Sequence, residues 1–229
     1  MRFVSFSSVL ALCVCLLGNG CSKEITRSTV PVVFSVRGNV VFGDAERSHF
    51  QPVTPKSKIH AGDVVRTLDG ASINLGIIPG AFIQLSANSE IKIEEVTLTK
   101  DGNDTAERML DRRASIRLNH GRIVNLFSQS DRTASEFGIT TGQVTLRPAS
   151  DCLFSIWTDG TATRATCTRG EVSASADGQP LLKIPAGYFA KWPTASKEPI
   201  AASADASAQM DIKTALEVES ELLDQASGW

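Results

Sequence analysis

The sequence has few of the residues that carry most enzyme chemistry. Its 229 residues include three histidines, five cysteines and one tyrosine. His49, His60 and His120 lack the i, i+4 spacing and the neighbouring cysteines that a zinc site requires. The chain also lacks a nucleophile elbow of the Gly-x-Ser-x-Gly type and a glycine-rich phosphate loop. We therefore predict a protein without a catalytic site, a metal ion or a cofactor.

An excess of charge of one sign is also lacking. The 23 basic and 25 acidic residues give a net charge of −2. Lysines and arginines do not cluster with aromatic residues, so the composition argues against nucleic acid as a partner. Apolar residues make up 42% of the chain, and the length allows one large β domain or two small ones with a buried core.

The apolar run from Val9 to Leu17 is too short to cross a bilayer as a helix. It follows Arg2 and precedes Gly18-Asn19-Gly20, an order typical of a secretory signal over residues 1–20. Small residues directly before a cysteine are also the mark of a bacterial lipobox, although Gly18 stands where that motif usually has leucine. We predict that Cys21 is acylated. The alternative is ordinary signal cleavage nearby, which would leave this cysteine free or disulfide-bonded.

Two cysteines remain after the predicted signal and Cys21 are set aside. They flank Asp159-Gly160, a dipeptide favoured in type I′ turns. If Thr158 pairs with Thr161, counting outward places Cys152 opposite Cys167. Directly opposed strand residues lie about 4.5 to 5.5 Å apart at Cα, within the range of a disulfide. We predict that the two cysteines form a disulfide, and the alternative is two reduced buried thiols.

A three-residue step recurs along the chain: a glycine, then a polar residue, then an aliphatic or aromatic residue. Glycine adopts positive φ without steric cost, and the β-branched residues that follow favour strands. The intervals between the steps are too uneven for a strict solenoid repeat. The pattern predicts an all-β domain over residues 32–193, either twisted and solenoid-like or a sandwich. The steps begin at Gly38, Gly62, Gly121, Gly142, Gly170 and Gly187.

The apolar periodicity also predicts local features of this domain. Val30 to Gly43 should form a hairpin with Val32, Phe34 and Val36 on one face. After Ile93 the apolar positions change from odd-numbered to even-numbered residues. This change indicates a bulge near Glu94-Glu95 or a second buried face. Residues 100–113, dense in Asp, Arg and Glu, are predicted to be a solvated excursion, with a short helix over Thr105 to Arg113 as the alternative. Asn119-His120-Gly121 is predicted to be a turn.

Polar and alanine-rich segments flank the predicted domain. Residues 21–31 are predicted to be a lipid-anchored tether, and residues 194–208 a linker. Over residues 209–227 the period becomes helical, with Met210, Leu216 and Leu223 able to line one side. The predicted helix packs either on its own domain or on a partner.

Several segments, in this order, resemble the periplasmic domain of the FecR family over about residues 32–192. Thr141-Gly142 and Pro148 to Asp151 depart from the pattern, since the family commonly carries a Thr-Pro pair and an Arg-Gly-Thr step there. The segments that carry the resemblance are Ser35 to Val40, Ile59 to Thr67, Gly70 to Leu75, Gly80 to Ile91, Leu118 to Ile123, Phe137 to Thr141, Arg169 to Val172 and Pro185 to Gly187.

The resemblance implies a FecR-type fold and a sensing or binding role. Regulatory members look like inner-membrane proteins whose cytoplasmic segment binds a sigma factor, which an exported lipoprotein cannot reach. We therefore expect a non-catalytic module, anchored in the bacterial cell envelope by a lipid, that binds an envelope protein. Ser22 after Cys21 is compatible with the outer membrane, facing the periplasm.

The alternative function is a structural module that binds the cell wall or a carbohydrate. Exposed aromatic residues on one face of a sheet would favour this alternative. An exposed apolar patch beside the last helix would favour a protein partner.

Overall fold

The computed structural model describes residues 24–44, 49–102, 109–129, 134–193 and 198–226. The predicted signal and Cys21 lie outside these residues. The described chain is mostly β, and it ends in α1 (Ala206–Ala226), which follows a 3-10 turn at Ala202–Ala204. The strands are β1 (Glu24–Ser28), β2 (Val32–Arg37), β3 (Val40–Asp44), β4 (Gln51–Pro52), β5 (Asp63–Thr67), β6 (Ser72–Ile78), β7 (Ala81–Leu85), β8 (Ser89–Asp101), β9 (Met109–Phe127), β10 (Ala134–Thr140), β11 (Thr145–Pro148), β12 (Cys152–Thr158), β13 (Thr163–Arg169), β14 (Glu171–Ser175), β15 (Leu182–Pro185), β16 (Tyr188–Trp192) and β17 (Ile200–Ala201).

The strand pairings form two layers. The first layer has the order β4, β3, β5, β8, β9, β10, β11, β14, β15, and β1 pairs with the end of β8. The second has the order β2, β6, β7, β9, β12, β13, β16, β17. Buried side chains of both layers share one core, which confirms the all-β prediction. Examples are Ile83, Ile93, Ile116, Ile156 and Ile184.

Strand β9 belongs to both layers. Up to His120 it pairs with β8, and from Gly121 onward it pairs with β7 and β12. The turn predicted at Asn119-His120-Gly121 is therefore a bend within one strand. Gly121 has a φ of 94°, and a Cβ there would lie 2.1 Å from Ser89 Oγ. Only glycine satisfies both the backbone conformation and the close approach of β8.

The predicted hairpin over Val30 to Gly43 is wrong, because β2 and β3 join different layers. β2 pairs with β6, and β3 pairs with β5. A register shift between Val33 and Ser35 also divides the residues that were predicted to share one face of this hairpin. Phe34 packs under α1, whereas Val36 packs against the main core. The bulge places Phe34 and Val36, two residues apart, on opposite faces, whereas simple alternation would place them on the same face.

The β8–β9 region confirms one prediction and corrects another. The register shift between Ile93 and Glu95 is the predicted bulge, and Val96 after it is buried in the core. The excursion predicted over residues 100–113 is wrong at both ends, since β8 reaches Asp101 and β9 begins at Met109. The backbone pairing of β8 with β9 continues as far as Lys100 and Met109, and the charged side chains of this region do not interrupt it.

Both flanking segments contain regular structure. The predicted tether over residues 21–31 includes β1, which pairs with β8 from Glu24 to Ser28. The predicted linker over residues 194–208 includes β17, the 3-10 turn and the first residues of α1. Residues 194–197 lie outside the described part of the chain. The helix itself is confirmed, and it begins three residues before the predicted start.

Candidate partner-binding surface

Helix α1 lies across the outer face of the second layer. Ala208 and the half-buried Ile212, near its start, pack on Phe189 of β16. Further along, α1 covers an apolar cluster on β7, β9 and β12. The helix therefore packs on its own domain, which settles the alternative left open by its sequence. The buried members of the second cluster are Phe82, Val124, Leu126, Leu153, Ala215, Val218 and Leu222.

Asp205 holds the start of α1. Its Oδ1 accepts hydrogen bonds from the backbone N–H groups of Ser207 and Ala208, at 2.9 and 3.0 Å. Lys191 Nζ donates to Oδ2 at 2.6 Å. The hydrogen bond from Lys191, followed by those from the backbone, lowers the pKa of the Asp205 carboxyl. A carboxylate at a helix N-terminus is favourable, and the lowered pKa means that this contribution is lost only as the pH falls.

Asp211 fixes the second turn of the helix to the sheet. Its side chain is 1% exposed, and it receives two hydrogen bonds from Arg164, at 2.6 and 3.2 Å. Arg122 Nη2 lies 3.0 Å from Oδ1, and Thr166 Oγ1 donates to Oδ2 at 3.1 Å. Two cations on β9 and β13 thus converge on one buried carboxylate. Removing one member of such a group leaves an uncompensated charge.

Sequence reasoning missed Asp211 and chose the wrong apolar side of the helix. Met210, Leu216 and Leu223, predicted to line one side, are 54, 53 and 49% exposed. The 3.6-residue period places Leu216 and Leu223 about 20° apart, but Met210 more than about 100° from either. The buried face contains two alanines and an aspartate, so its hydrophobic signal is weak. The available clue is the helical spacing of Ala208, Asp211, Ala215, Val218 and Leu222.

The exposed leucines form a patch on one flank of the docked helix. Ile212, Leu216 and Leu223 follow the helical i, i+4, i+11 spacing, and we call these three residues the helix-flank patch. Glu219, which lies between the leucines on this flank, forms an ion pair with Arg169 of β13. The patch therefore has a defined orientation relative to the sheet.

Cys152 and Cys167 lie side by side in the core, but not in the predicted register. Thr158 pairs with Thr163 instead of Thr161, and Cys167 pairs with Phe154. Asp159 Oδ1 accepts the backbone N–H groups of Thr161 and Ala162, at 2.8 and 2.7 Å, which holds a four-residue loop. The simple two-residue turn assumed from Asp159-Gly160 is therefore wrong.

The two sulfur atoms are nevertheless 4.0 Å apart, and both cysteines are buried and reduced in this structure. The hydrogen bond with Cys167, together with burial, raises the pKa of the Cys152 thiol. A raised pKa lowers the reactive thiolate fraction of Cys152, and burial also shields Cys167 from reagents, so the native thiols should react slowly even without a disulfide. The disulfide remains a prediction.

The disulfide prediction is tested by alkylation of the exported protein under denaturing conditions. We expect Cys152 and Cys167 to gain no mass without reductant and to be alkylated at both positions after reduction. Protein made in a reducing cytoplasm is the control, and it should be alkylated at both positions without further treatment. Two alkylated thiols in unreduced exported protein would contradict the prediction.

The histidines and the strand glutamates occupy surface positions. His49 and His60 line an open cleft of about 460 Å³ with Asp63, whose Oδ2 accepts the His60 backbone N–H at 2.7 Å. The described residues contain no group of three or more side chains placed to hold a metal ion. Glu90 and Glu94 form ion pairs with Arg66 and Arg117 on the outer face of the first layer.

The aromatic residues that the structure describes do not form a platform on a sheet face. Trp192 is buried, and Trp157 lies under Arg164, with the guanidinium carbon 5.4 Å from the ring centre. Among the large hydrophobic side chains that the described chain exposes, Tyr188 is the one aromatic. The criterion for carbohydrate binding is therefore not met, whereas the helix-flank patch meets the criterion for a protein partner. Within the described ranges, no helix is long and apolar enough to cross a membrane.

Comparison with known proteins finds a family model that matches part of the β domain. Residues 63–173 match the family model described as FecR protein, which confirms the resemblance seen in the sequence. Two crystal structures of a proposed anti-sigma factor from Parabacteroides distasonis, at 1.65 and 2.50 Å resolution, are similar with a TM-score of 0.42 and 10% identity. Each alignment covers 60% of this chain and 57% of the other, less than two thirds of that chain's length. No curated protein matches.

Proposed function

We propose that this chain, whose residues 63–173 match the FecR family, is a non-catalytic envelope lipoprotein that binds a protein partner through its helix-flank patch. The family match supports a regulatory or sensing module. The observation that carries the proposal is the exposure of Leu216 and Leu223, by 53 and 49%, on the flank of a helix whose neighbouring face is already buried.

The helix-flank patch has the form of a helix-in-groove contact. Its apolar residues recur on one flank of a single helix, and such anchors are read by a partner's hydrophobic groove. The outer side of α1 beside them carries Glu217 and Asp224 together with Lys213, whose Nζ lies 3.9 Å from Glu217 Oε1, so its net charge is negative. The partner that fits is a protein with an apolar groove and a basic rim, because an apolar centre and a complementary charged rim are typical of interfaces.

The envelope location is supported by the sequence that precedes the described residues. A secretory signal over residues 1–20 and acylation of Cys21 would attach the chain to a membrane. Two or more acyl chains are needed for firm attachment, and bacterial lipoprotein maturation supplies them. The proposed location is the outer membrane, facing the periplasm, where a sigma factor is not a partner.

The proposal is tested by cross-linking in intact cells, followed by purification from envelope fractions. We expect the Leu216→Glu, Leu223→Glu double variant to reduce capture of the cross-linked partner by about 30-fold or more, since losing two interface anchors costs at least about 2 kcal/mol. Met210→Glu is the matched control, because Met210 is equally exposed on another side of α1. It should retain the partner.

Both variants should keep the urea midpoint of the native protein, since they alter exposed residues. Equal capture by the double variant and the control would contradict the helix-flank patch as the binding surface. Reproducible copurification with a cytosolic complex would contradict the proposed location.

A further inference from the structure

One end of the two-layer structure carries a row of four residues in register across four strands. Arg27 of β1 pairs with Leu98 of β8, Leu98 pairs with Arg112 of β9, and Arg112 pairs with Ser135 of β10. Leu98 packs against the main core, so this row faces the inside of the structure. Its basic and polar members therefore lie at the margin of an apolar core.

Arg112 is a buried cation for which the described residues provide no carboxylate. Its residue is 7% exposed, and Nη1 donates to the Pro79 carbonyl at 2.5 Å. Nε is buried without a hydrogen-bond partner, and the described residues contain no ion pair of this guanidinium. Burial lowers the pKa of Arg112, and no neighbouring charge raises it. A buried charge normally requires an opposite charge close by.

Ser135 provides a second unused donor at the same place. Its Oγ is buried and has no hydrogen-bond partner among the described residues. The parallel pairing of β9 and β10 sets Ser135 beside Arg112. A guanidinium N–H and a hydroxyl that both lack an acceptor are the donors with which proteins hold phosphate and carboxylate oxygens.

A cleft of about 390 Å³ opens at Leu98, the cross-strand neighbour of Arg112. It combines the apolar side chains of Ile25 and Leu98 with the basic side chains of Arg27 and Lys100, and Asp101 also lies in its wall. An amphiphile with an anionic head has the matching chemistry, because its phosphate meets cations while its carbon chain meets aliphatic groups.

The position of the cleft relative to Cys21 identifies the source of such an amphiphile. β1 begins at Glu24, three residues after Cys21, and three residues span at most about 11 Å. If Cys21 is acylated, as the proposed function requires, the Ile25–Leu98 end of the structure is held at the bilayer surface. A long flexible tether would not impose this orientation.

We infer that this end of the molecule binds the phosphate of an anionic lipid headgroup. Arg112 and Ser135 hold phosphate oxygens, and Arg27 and Lys100 attract the headgroup at the mouth of the cleft. The contact orients the β domain on the membrane, and it leaves α1 on the outer face of the other layer.

The site is tested with inorganic phosphate as the probe and the full exported chain carrying Cys21→Ser. We expect phosphate, compared with chloride at equal ionic strength, to raise the midpoint of thermal unfolding. Arg112→Met should abolish this rise while remaining folded without phosphate, because it removes an uncompensated buried charge. Arg113→Met is the matched control: Arg113 is the next residue of β9, exposed on the opposite face and paired with Asp111. It should retain the rise.

Ser135→Ala provides a second variant that leaves every charge in place, and it should weaken phosphate binding several-fold. The absence of a phosphate effect on the parent chain, or an equal effect on Arg112→Met, would overturn the anion site. The source of the phosphate is tested by sedimentation with vesicles of phosphatidylglycerol or phosphatidylcholine. We expect binding to the phosphatidylglycerol vesicles alone, with a loss of at least tenfold in Arg112→Met.

Binding of inorganic phosphate without binding to phosphatidylglycerol vesicles would overturn the lipid assignment. Because the tested chain carries Cys21→Ser and an intact helix-flank patch, these results do not depend on acylation or on the protein partner. Failure of the anion site is therefore distinguishable from failure of the proposed function.

Discussion

Replacing Asp211 with alanine is expected to lower the free energy of unfolding by about 3–5 kcal/mol, the usual cost of breaking a buried ion pair. Asp211 is 1% exposed and is bound by Arg164, Arg122 and Thr166. Its removal leaves two guanidinium groups facing each other under the helix. Asp211→Asn should cost less, since the amide oxygen still accepts one of the hydrogen bonds.

Urea unfolding monitored by circular dichroism and by Trp fluorescence measures this effect. Glu217→Ala is the control on the same helix. Glu217 is largely exposed, its Oε1 lies 3.9 Å from Lys213 Nζ, and losing this contact should cost no more than about 0.5 kcal/mol. A loss below about 1 kcal/mol in Asp211→Ala would show that the network does not hold the helix.

The same substitution connects stability to the proposed function. Asp211 fixes the rotation of α1 on β9 and β13, and this rotation directs Leu216 and Leu223 outward. Partial release of the helix would expose the apolar cluster beneath it, and the helix-flank patch would no longer have a fixed orientation relative to the sheet. We therefore expect Asp211→Ala to reduce partner capture as well as stability.

Gly121→Ala is the second substitution with a large expected effect, a loss of about 3–5 kcal/mol in the free energy of unfolding from backbone strain and overpacking together. The φ of 94° disfavours any residue with a side chain. An added Cβ would also meet Ser89 at Oγ, Cβ and Cα, at 2.1, 2.3 and 2.5 Å. Because one of these atoms belongs to the backbone of β8, a rotamer change cannot relieve the contact.

Gly62→Ala separates the two causes. Gly62 has a similar φ, 98°, but a Cβ there would meet no atom within 4 Å. Gly62→Ala should lower the free energy of unfolding only by the cost of the unfavourable backbone conformation, about 1–2 kcal/mol. Urea unfolding of both variants gives the comparison. Equal losses would mean that the strand crossing at Gly121 tolerates a side chain, which contradicts the role assigned to it.

Local sequence patterns predicted the kinds of element well. Positive φ is observed at Gly38, Gly62, Gly121, Gly170 and Gly187, and Gly142 is the exception among the six predicted steps. The parity change after Ile93 predicted a bulge that the register confirms. These features depend on a few neighbouring residues, so the sequence contains them directly.

The pairing of the strands and the buried side of the helix were harder to predict. The chain from β2 to β3 reads as a hairpin, yet the two strands join different layers. The apolar residues of α1 suggested one buried side, but the sheet receives the side with alanines and Asp211, because these small residues let the helix approach and Arg164 and Arg122 compensate the charge. The adjacency of Arg112 and Ser135 depends on a parallel pairing between residues 23 positions apart.

The amino-acid sequence alone determined that this protein is built of glycine-separated strands followed by one helix, because glycine conformations and apolar periodicity act over a few residues. The tertiary structure alone decided which strands are neighbours, which side of the helix is buried and which cations lie together. Those outcomes depend on contacts between distant segments, whose free energy is set by the whole core and not by any local pattern.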